Sequence, residues 1–321
     1  MKIALISDIH GNIFALDAVL DDAVKSGADT YVFVGDYIFD MPFSNEVTER
    51  IRTLQITSSV HVIAGNKEAR LIGYINADKR TWIYEQMGAV YQAFRELKTD
   101  NLDWLKSLPE TLTITLPGNR KLLALHIFTP LFPGGTGMER TRNAFNSSGS
   151  FMREHKKNGF THDEYLKQIG ETLAGDSYAD RFSEYDADII VSGHTHLQWN
   201  TFSGNKLLIN PGGCGQPLDG NPLAPYTLLT VTEESVQIDE RRVSYDVEAA
   251  ISAARKTEIY KQGSIFLESC FLSMRSGYAY MAELRETARR IAAEHGASTP
   301  VMEPVDNDIW RIAGKEFFKT M

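Results

Sequence analysis

A chain of 321 residues, 43% hydrophobic and 23% charged, is long enough for one large domain with an appendage or for two domains, and its composition excludes extensive disorder. Thirty-three Lys and Arg against 42 Asp and Glu give a formal charge of −9, which disfavours non-specific attraction to long nucleic acids or anionic membranes. An anionic substrate would therefore need local positive charge, and bound cations are one source of it.

The first apolar run, residues 3–6, reads as a buried strand and leads into the turn-forming string Ser7-Asp8-Ile9-His10-Gly11-Asn12. Asp8 breaks this run before a secretory core or membrane span can form. Leu16, Val19, Leu20 and Ala23 then recur at helical spacing, with Gly27 as a stop. Residues 30–34 and 60–64 read as two more buried strands, running into Gly35-Asp36 and Gly65-Asn66. Residues 82–108 predict helices packed beside these strand ends. Residues 122–125 deliver His126, and residues 189–191 deliver Gly193-His194-Thr195-His196. Between them lies a polar insert, residues 130–185, with a helix predicted over 162–173; inserts of this size usually serve as lids or binding loops. Residues 226–232 and 236–238 predict an antiparallel hairpin, and the core is expected to finish near Tyr245. Helices are expected over 247–261 and 281–295, the second stopped by Gly296. The chain thus divides into residues 1–246 and a helical C-terminal extension, residues 247–321. Cys214 and Cys270 are too sparse for a disulfide framework and fit a reducing cytoplasm.

Strands joined by helices predict an α/β fold with parallel strands, whose carboxyl ends line the crevice where ligands bind. Five polar clusters distant in sequence would meet there. Hydrolysis of a phosphate ester needs an in-line nucleophile and neutralised phosphoryl charge, which two cations about 3.5 to 4 Å apart supply when a carboxylate holds them together. Asp8, His10, Asp36, Asn66, His126, His194 and His196 form such a donor set. Imidazole, carboxylate and one amide oxygen suit Mn, Fe or Zn, with Mn or Fe favoured, rather than Ca or a cysteine-bound structural zinc. Each residue alone has an ordinary explanation: an Asp before a helix is commonly a cap, a Gly-Asp a turn, and a strand-end His a hydrogen-bonded residue. Their joint occurrence after five buried strands is what singles them out.

Asp8-Ile9-His10, Gly35-Asp36, Gly65-Asn66, His126 and Gly193-His194-Thr195-His196 resemble the five motifs of the calcineurin-like metallophosphoesterase superfamily, over residues 1–245. The resemblance implies a four-layer α/β/β/α sandwich of two facing sheets flanked by helices, with Asp36 bridging two ions. It places Asp8, His10 and His196 on one ion and Asn66, His126 and His194 on the other, with a metal-bridging water or hydroxide as nucleophile. Residues 209–217 are similar to the Asn-Pro-Gly-Ser-x-Gly-Gln-Pro string of the small bacterial phosphodiesterase branch, with Gly213 in place of Ser. Residues 241–250 and the helical tail resemble bacterial members that hydrolyse diadenosine tetraphosphate. One departure concerns the third motif, which usually reads Gly-Asn-His, its His assisting the leaving group; here it reads Gly65-Asn66-Lys67-Glu68. Lysine is a poor proton donor near neutral pH, so a nucleotide phosphoanhydride, whose leaving group needs little protonation, suits this site better than an alkyl monoester.

His10, Asn66 and Lys67 are the expected catalytic residues, with a solvent-facing Lys67 as the alternative. Arg140 and Arg142 are expected to clamp outer phosphates, unless they are solvated loop charges. Trp82, Tyr84 and Tyr91 either stack an adenine or pack as core, and the core reading is preferred. His61, His155, His162 and His295 lie away from the five clusters. The expected protein is a cytoplasmic hydrolase of a small nucleotide phosphodiester or phosphoanhydride, diadenosine tetraphosphate first, with no stable nucleic-acid or membrane partner. The alternatives are a phosphomonoesterase acting on phosphoproteins or small phosphates, a scaffold that has kept the fold without catalysis, and a repair nuclease, which the acidic charge disfavours. The C-terminal helices either form a homo-oligomer contact or cap the sheet.

Overall fold

The strands that read as unbroken apolar runs are buried on both faces, which removes the polar alternation of a half-exposed strand. Alternate residues Ile3, Leu5, Val32, Val34, Leu122, Ala124, Ile189, Val191, Leu207 and Ile209 form one buried cluster. The residues between them, among them Ala4, Ile6, Tyr31, Phe33, Ile190 and Leu208, belong to a second cluster shared with the helices. The first cluster is the dry interface of two facing sheets, and the second is where helices cover them.

The computed structural model describes residues 1–127, 158, 159, 161, 163, 164, 166, 167, 171, 180, 182–297 and 303–321. Among these, the strands in chain order are β1 (Lys2–Ile6), β2 (Thr30–Phe33), β3 (Ser59–Val62), β4 (Thr111–Leu116), β5 (Arg120–Leu125), β6 (Ile189–Val191), β7 (Gln198–Ser203), β8 (Lys206–Pro211), β9 (Ala224–Val231) and β10 (Val236–Val243). The first sheet has the order β10-β9-β1-β2-β3 and the second β4-β5-β6-β8-β7. β1, β2 and β3 are parallel to one another, as are β5, β6 and β8, while β4, β7, β9 and β10 pair antiparallel. Each sheet is therefore mixed, with three parallel strands whose carboxyl ends share one rim; β3 is the edge of the first sheet and is only partly buried, not the buried strand expected over 60–64. The hairpin predicted after residue 226 is β9–β10. The sequence reading did not place β4, β7 or β8. Most of the insert over residues 130–185, including Arg140, Arg142, His155 and His162, lies outside the described residues.

Helix α1 (Ile13–Lys25) buries Ala15, Leu16, Val19, Leu20 and Ala23, the face its spacing predicted. Asn12 caps it, its side-chain oxygen accepting from Ala15 N at 3.2 Å. α2 (Ser44–Thr57), α3 (Asn66–Asn76), α4 (Gly88–Glu96) and α5 (Thr99–Lys106) follow. The C-terminal part comprises α6 (Val247–Ala254), α7 (Glu258–Ser276), α8 (Tyr280–Glu294) and α9 (Asn307–Lys319). The single helix expected over 247–261 is thus two: α6 stops at Ala254, and the Thr257 hydroxyl starts α7 by accepting from Tyr260 N at 3.2 Å. A threonine that caps a new helix competes with continuing the old one. No described helix is long and apolar enough to cross a membrane.

The C-terminal helices share the core of the sheets, since Phe266, Leu267, Phe271 and Trp310 join the cluster that holds Ala4, Ile6 and Phe33. Their closest approach is between α7 and α4. A Cβ on Gly88 would lie 2.0 Å from the Gln262 carbonyl oxygen, so the two backbones meet where only glycine fits. Gly88→Val should destabilise the protein by about 1–3 kcal/mol, the usual cost of overpacking, read as a lower urea midpoint. An unchanged midpoint would mean that this crossing does not hold the helices in place.

Candidate metal centre

Where β1, β2 and β6 end, the chain turns through left-handed backbone. Asp8 (φ 52°), His10 (50°), Asp36 (57°), His194 (71°) and His196 (60°) all adopt it. Each such residue costs on the order of 1 kcal/mol and persists only where its surroundings impose it. Hydrogen bonds between the loops do so here: Asp8 N donates to Gly35 O at 3.0 Å, His10 N to Asp36 O at 3.0 Å, Gly193 N to His126 O at 3.1 Å, and Cys214 N to Ser7 O at 2.9 Å. Buried Glu68 adds a clasp, accepting from Asp36 N at 2.9 Å, Gly65 N at 2.7 Å and Tyr37 N at 2.9 Å. The glycines permit close approach. A Cβ on Gly65 would lie 2.3 Å from Asp36 Oδ1, and one on Gly193 would lie 2.0 Å from Ser7 Oγ and 2.6 Å from Asp8 Oδ2.

All seven residues singled out in the sequence meet at this rim. Asp8 Oδ2 accepts from Ser7 Oγ at 2.7 Å and from His194 N at 2.9 Å. Asp8 Oδ1 is buried with no hydrogen-bond partner among the described residues. Three imidazole nitrogens surround that oxygen: His196 Nε2 at 3.3 Å, His10 Nε2 at 3.6 Å and His126 Nε2 at 4.0 Å. Asp36 stands beside it, with Oδ1 3.4 Å from His126 Nε2 and Oδ2 3.8 Å from His10 Nε2. Asn66 Oδ1 lies 3.2 Å from His126 Nε2 and 2.8 Å from His194 Nδ1. Asp36 Oδ1 also accepts from Lys67 N at 2.7 Å, at the start of α3, where the helix dipole favours an anion.

The far ring nitrogens explain how the histidines are aimed. His126 Nδ1 donates to Val34 O at 2.6 Å and His196 Nδ1 to Gln216 O at 2.7 Å. A ring that donates from Nδ1 to a carbonyl keeps a lone pair for Nε2, the arrangement usual behind metal-ligating histidines. His10 Nδ1 faces Asp40 Oδ2 as an ion pair at 2.9 Å. His10 and His196 point their Nε2 atoms at each other, 3.1 Å apart. Asp8, His10 and His196 form one group able to hold a metal ion, and Asp8, Asp36 and His126 a second, the donor atoms of each lying within 4.8 Å of one another.

Lys67 neither faces open solvent nor points freely at the centre. Its side chain is 14% exposed, and Nζ lies 3.0 and 2.9 Å from the two oxygens of Asp40. Asp40 is therefore shared between Lys67 and His10, a role the sequence reading missed, although a lone acid between Phe39 and Met41 was a signal. A cavity of about 210 Å³ opens on the centre, and His10, His194, His196, Lys67, Arg70 and Arg285 are among its lining residues. Trp82 and Tyr91 stack on each other at 4.6 Å, with Phe94 edge-on to Trp82, which is packing rather than an open platform. His61 and His295 lie outside the cluster.

Burial alone would raise the Asp8 carboxyl, but the charge of His196 and the contact with His10 hold it at about 2. Burial likewise opposes ionisation of Asp36, which the charge of His126 holds well below the usual carboxylate range. Burial lowers the basicity of His10 and His126, yet Asp40 raises the first to about 9 and Asp36 the second to about 10. His194 is pushed down to about 4 by burial and then by the charge of His126. In the metal-free chain, protons on two histidines thus stand where cations would otherwise balance the buried carboxylates. These rings hold a proton more tightly folded than unfolded, so their stabilisation is full below pH 6.5 and is lost as pH rises through 9 and 10. In chelator, the melting temperature should fall across that window, and added Mn should flatten the fall. A flat metal-free profile would place the protons elsewhere.

Residues 1–198 match the family model for calcineurin-like phosphoesterases. An uncharacterized protein of Methanocaldococcus jannaschii is 28% identical over 274 residues, covering 80% of this chain and 93% of that one. Among solved structures, a metallophosphoesterase from Sphaerobacter thermophilus has a similar fold, with a TM-score of 0.57 and 21% identity, over 86% of this chain and 99% of that chain. A hypothetical protein from Pyrococcus horikoshii OT3 gives a TM-score of 0.53 at 18% identity, over 81% of this chain and 96% of that chain. With two mixed sheets, flanking helices and a buried carboxylate and histidine cluster at their rim, the chain belongs to the calcineurin-like phosphoesterase family and is a metal-dependent phosphoesterase.

Proposed function

We propose that Asp8, His10, Asp36, Asn66, His126, His194 and His196 hold two transition-metal ions, Mn or Fe first, and that the chain hydrolyses a nucleotide phosphodiester or phosphoanhydride, with diadenosine tetraphosphate as the leading substrate. The carrying observation is Asp8 Oδ1, an anionic oxygen buried without a donor and ringed by three imidazole nitrogens at 3.3 to 4.0 Å. A buried carboxylate oxygen without a hydrogen-bond donor is costly; histidine protons offset that cost in the metal-free chain, and a cation between these atoms would offset it in the loaded one. Imidazole, carboxylate and amide oxygen suit Mn, Fe or Zn.

Bound there, the ions would supply neutralisation of phosphoryl charge and a nucleophile competent at neutral pH. The protein's own contribution is placement. Val34, Gln216 and Asp40 orient the rings of His126, His196 and His10 from behind. Asn66 and His194, in mutual contact at 2.8 Å, share the cavity side of the centre. Lys67 is engaged by Asp40 and acts in this reading as a positioning residue for His10 through that carboxylate. No other acid is then assigned to the leaving group, which favours a phosphoanhydride whose leaving phosphate needs little protonation. Two buried, unbridged cysteines accord with a cytoplasmic setting.

Chelated protein reloaded with Mn should hydrolyse bis-p-nitrophenyl phosphate and diadenosine tetraphosphate. Failure on both with Mn, Fe and Zn would overturn the reading, and faster turnover of p-nitrophenyl phosphate than of its diester would replace it with a monoesterase. Asp40→Asn should lower metal affinity or activity by about 10–100-fold, as loss of a partner behind a ligating histidine does. An unaltered Asp40→Asn enzyme would remove Asp40 from the design.

A further inference from the structure

The cavity at the metal centre does not end there. A second cavity of about 230 Å³ adjoins it, and Asp40, Lys67, Arg70, Phe266 and Arg285 line both. These shared residues form the passage, the stretch of wall where the two cavities adjoin. Lys67 and Arg70 come from α3, which begins at the metal site; Phe266 comes from α7 and Arg285 from α8. The Arg285 guanidinium lies over the Phe266 ring, 5.2 Å from its centroid. Stacking of this kind holds a planar cation in place against an apolar wall.

The charge in the passage runs against that of the whole molecule. Asp40 is matched by Lys67 at 2.9 Å. Among the described residues, the lining of the second cavity carries Arg70, Arg285 and Arg289 together with one further acid, Glu303, in a chain of net charge −9. An independent observation comes from the first cavity, which Gln216 also lines. Gln216 is 1% exposed, and its Nε2 amide donor has no hydrogen-bond partner among the described residues. A buried unmet donor beside clustered guanidinium groups fits a ligand rich in anionic acceptor oxygens.

Resting on the two-metal reading above, we propose that the passage is a subsite for a second phosphoryl group of the substrate, built jointly by α3 and the C-terminal helices. The substrate class it selects is the oligophosphate, in which a phosphoryl group bonded through oxygen to the reacting one continues away from the ions towards Arg70 and Arg285. A lone phosphodiester reaches the ions but leaves the passage empty. The C-terminal helices thereby take part in substrate choice.

Two measurements on the full chain test this. In the first, chelator-treated and dialysed protein is titrated with inorganic tripolyphosphate by calorimetry. Wild type should bind it and should bind inorganic phosphate more weakly. Arg285→Ala and Arg70→Ala should each weaken tripolyphosphate binding about tenfold or more, the scale of a lost charge-assisted hydrogen bond, with Arg285→Lys intermediate. In the second, Mn-loaded protein is assayed on diadenosine tetraphosphate and bis-p-nitrophenyl phosphate. The ratio of the two kcat/KM values should fall about tenfold or more in Arg285→Ala, mainly through KM. Equal tripolyphosphate binding by wild type and Arg285→Ala, or an unchanged ratio, would overturn the subsite. Arg285→Gln replaces Arg285→Ala in both measurements if the alanine variant fails to melt cooperatively. The two readings separate cleanly: turnover without dependence on Arg285 leaves the metal centre and removes the subsite, whereas Arg285-dependent tripolyphosphate binding without turnover does the reverse.

Discussion

Asp8 and Asp36 place two buried carboxylates side by side beneath the cavity at the metal centre, 0% and 2% exposed respectively. Like charges at such depth are tolerable only with positive charge among them. Four histidines and one amide converge on that requirement, and the backbone around them is bent to deliver them. The left-handed residues work against local preference, and the loop-to-loop hydrogen bonds and the Glu68 clasp hold them only if the strands beneath stay fixed. The apolar interface between the sheets fixes them, with Ile3, Leu5, Val32, Val34, Ile189, Val191 and Ile209 holding the strands whose ends carry the strain.

Convergence of two sheets on one point also explains why glycine precedes so many of the donors. Gly65 and Gly193 directly precede Asn66 and His194. Their contacts show a strict demand, because a single added carbon on either would strike a site carboxylate or the serine that supports it. The glycines set the separation between the loops, and that separation decides whether the Nε2 atoms of one sheet come within reach of the carboxylates of the other. Sheet packing and ligand geometry are thus one constraint seen at two scales.

The sequence made the centre of each sheet legible because strands buried on both faces leave apolar runs, and it made the donors legible because polar residues directly after such runs have few structural reasons to be there. The edge strand β4 alternates Thr with Leu and Ile, a signal that was present but carried no chemistry to draw attention to it. Helix α7 was harder to read. Gly263 interrupts its pattern with a non-helical φ of −142°, and the reason for a glycine there is its contact with α4, some 170 positions earlier in the chain. The roles of Asp40 and Glu68 were missed for the same reason: the partners that give them importance are brought near only by folding. Lys67 was given two readings, a phosphoryl cation or a solvent-facing side chain; it is 14% exposed rather than solvent-facing, and its pairing with Asp40 was part of neither reading.

That pairing also bears on how positive charge is distributed around the centre. Asp40 faces His10 on one side and Lys67 on the other, so one buried carboxylate joins the metal site to the passage behind it. A lysine held by both oxygens of a carboxylate is a strongly hydrated point charge already satisfied, and drawing it toward a phosphate would leave Asp40 unmatched at depth. Arginine is not bound by the same restriction, since a guanidinium with five donors can keep a neighbour and still meet an anion edge-on. An acidic chain that must handle an anionic substrate has reason to keep its lysine for internal order and to present arginine at the passage, and Arg285, carried there by the C-terminal helices and steadied on Phe266, occupies that position.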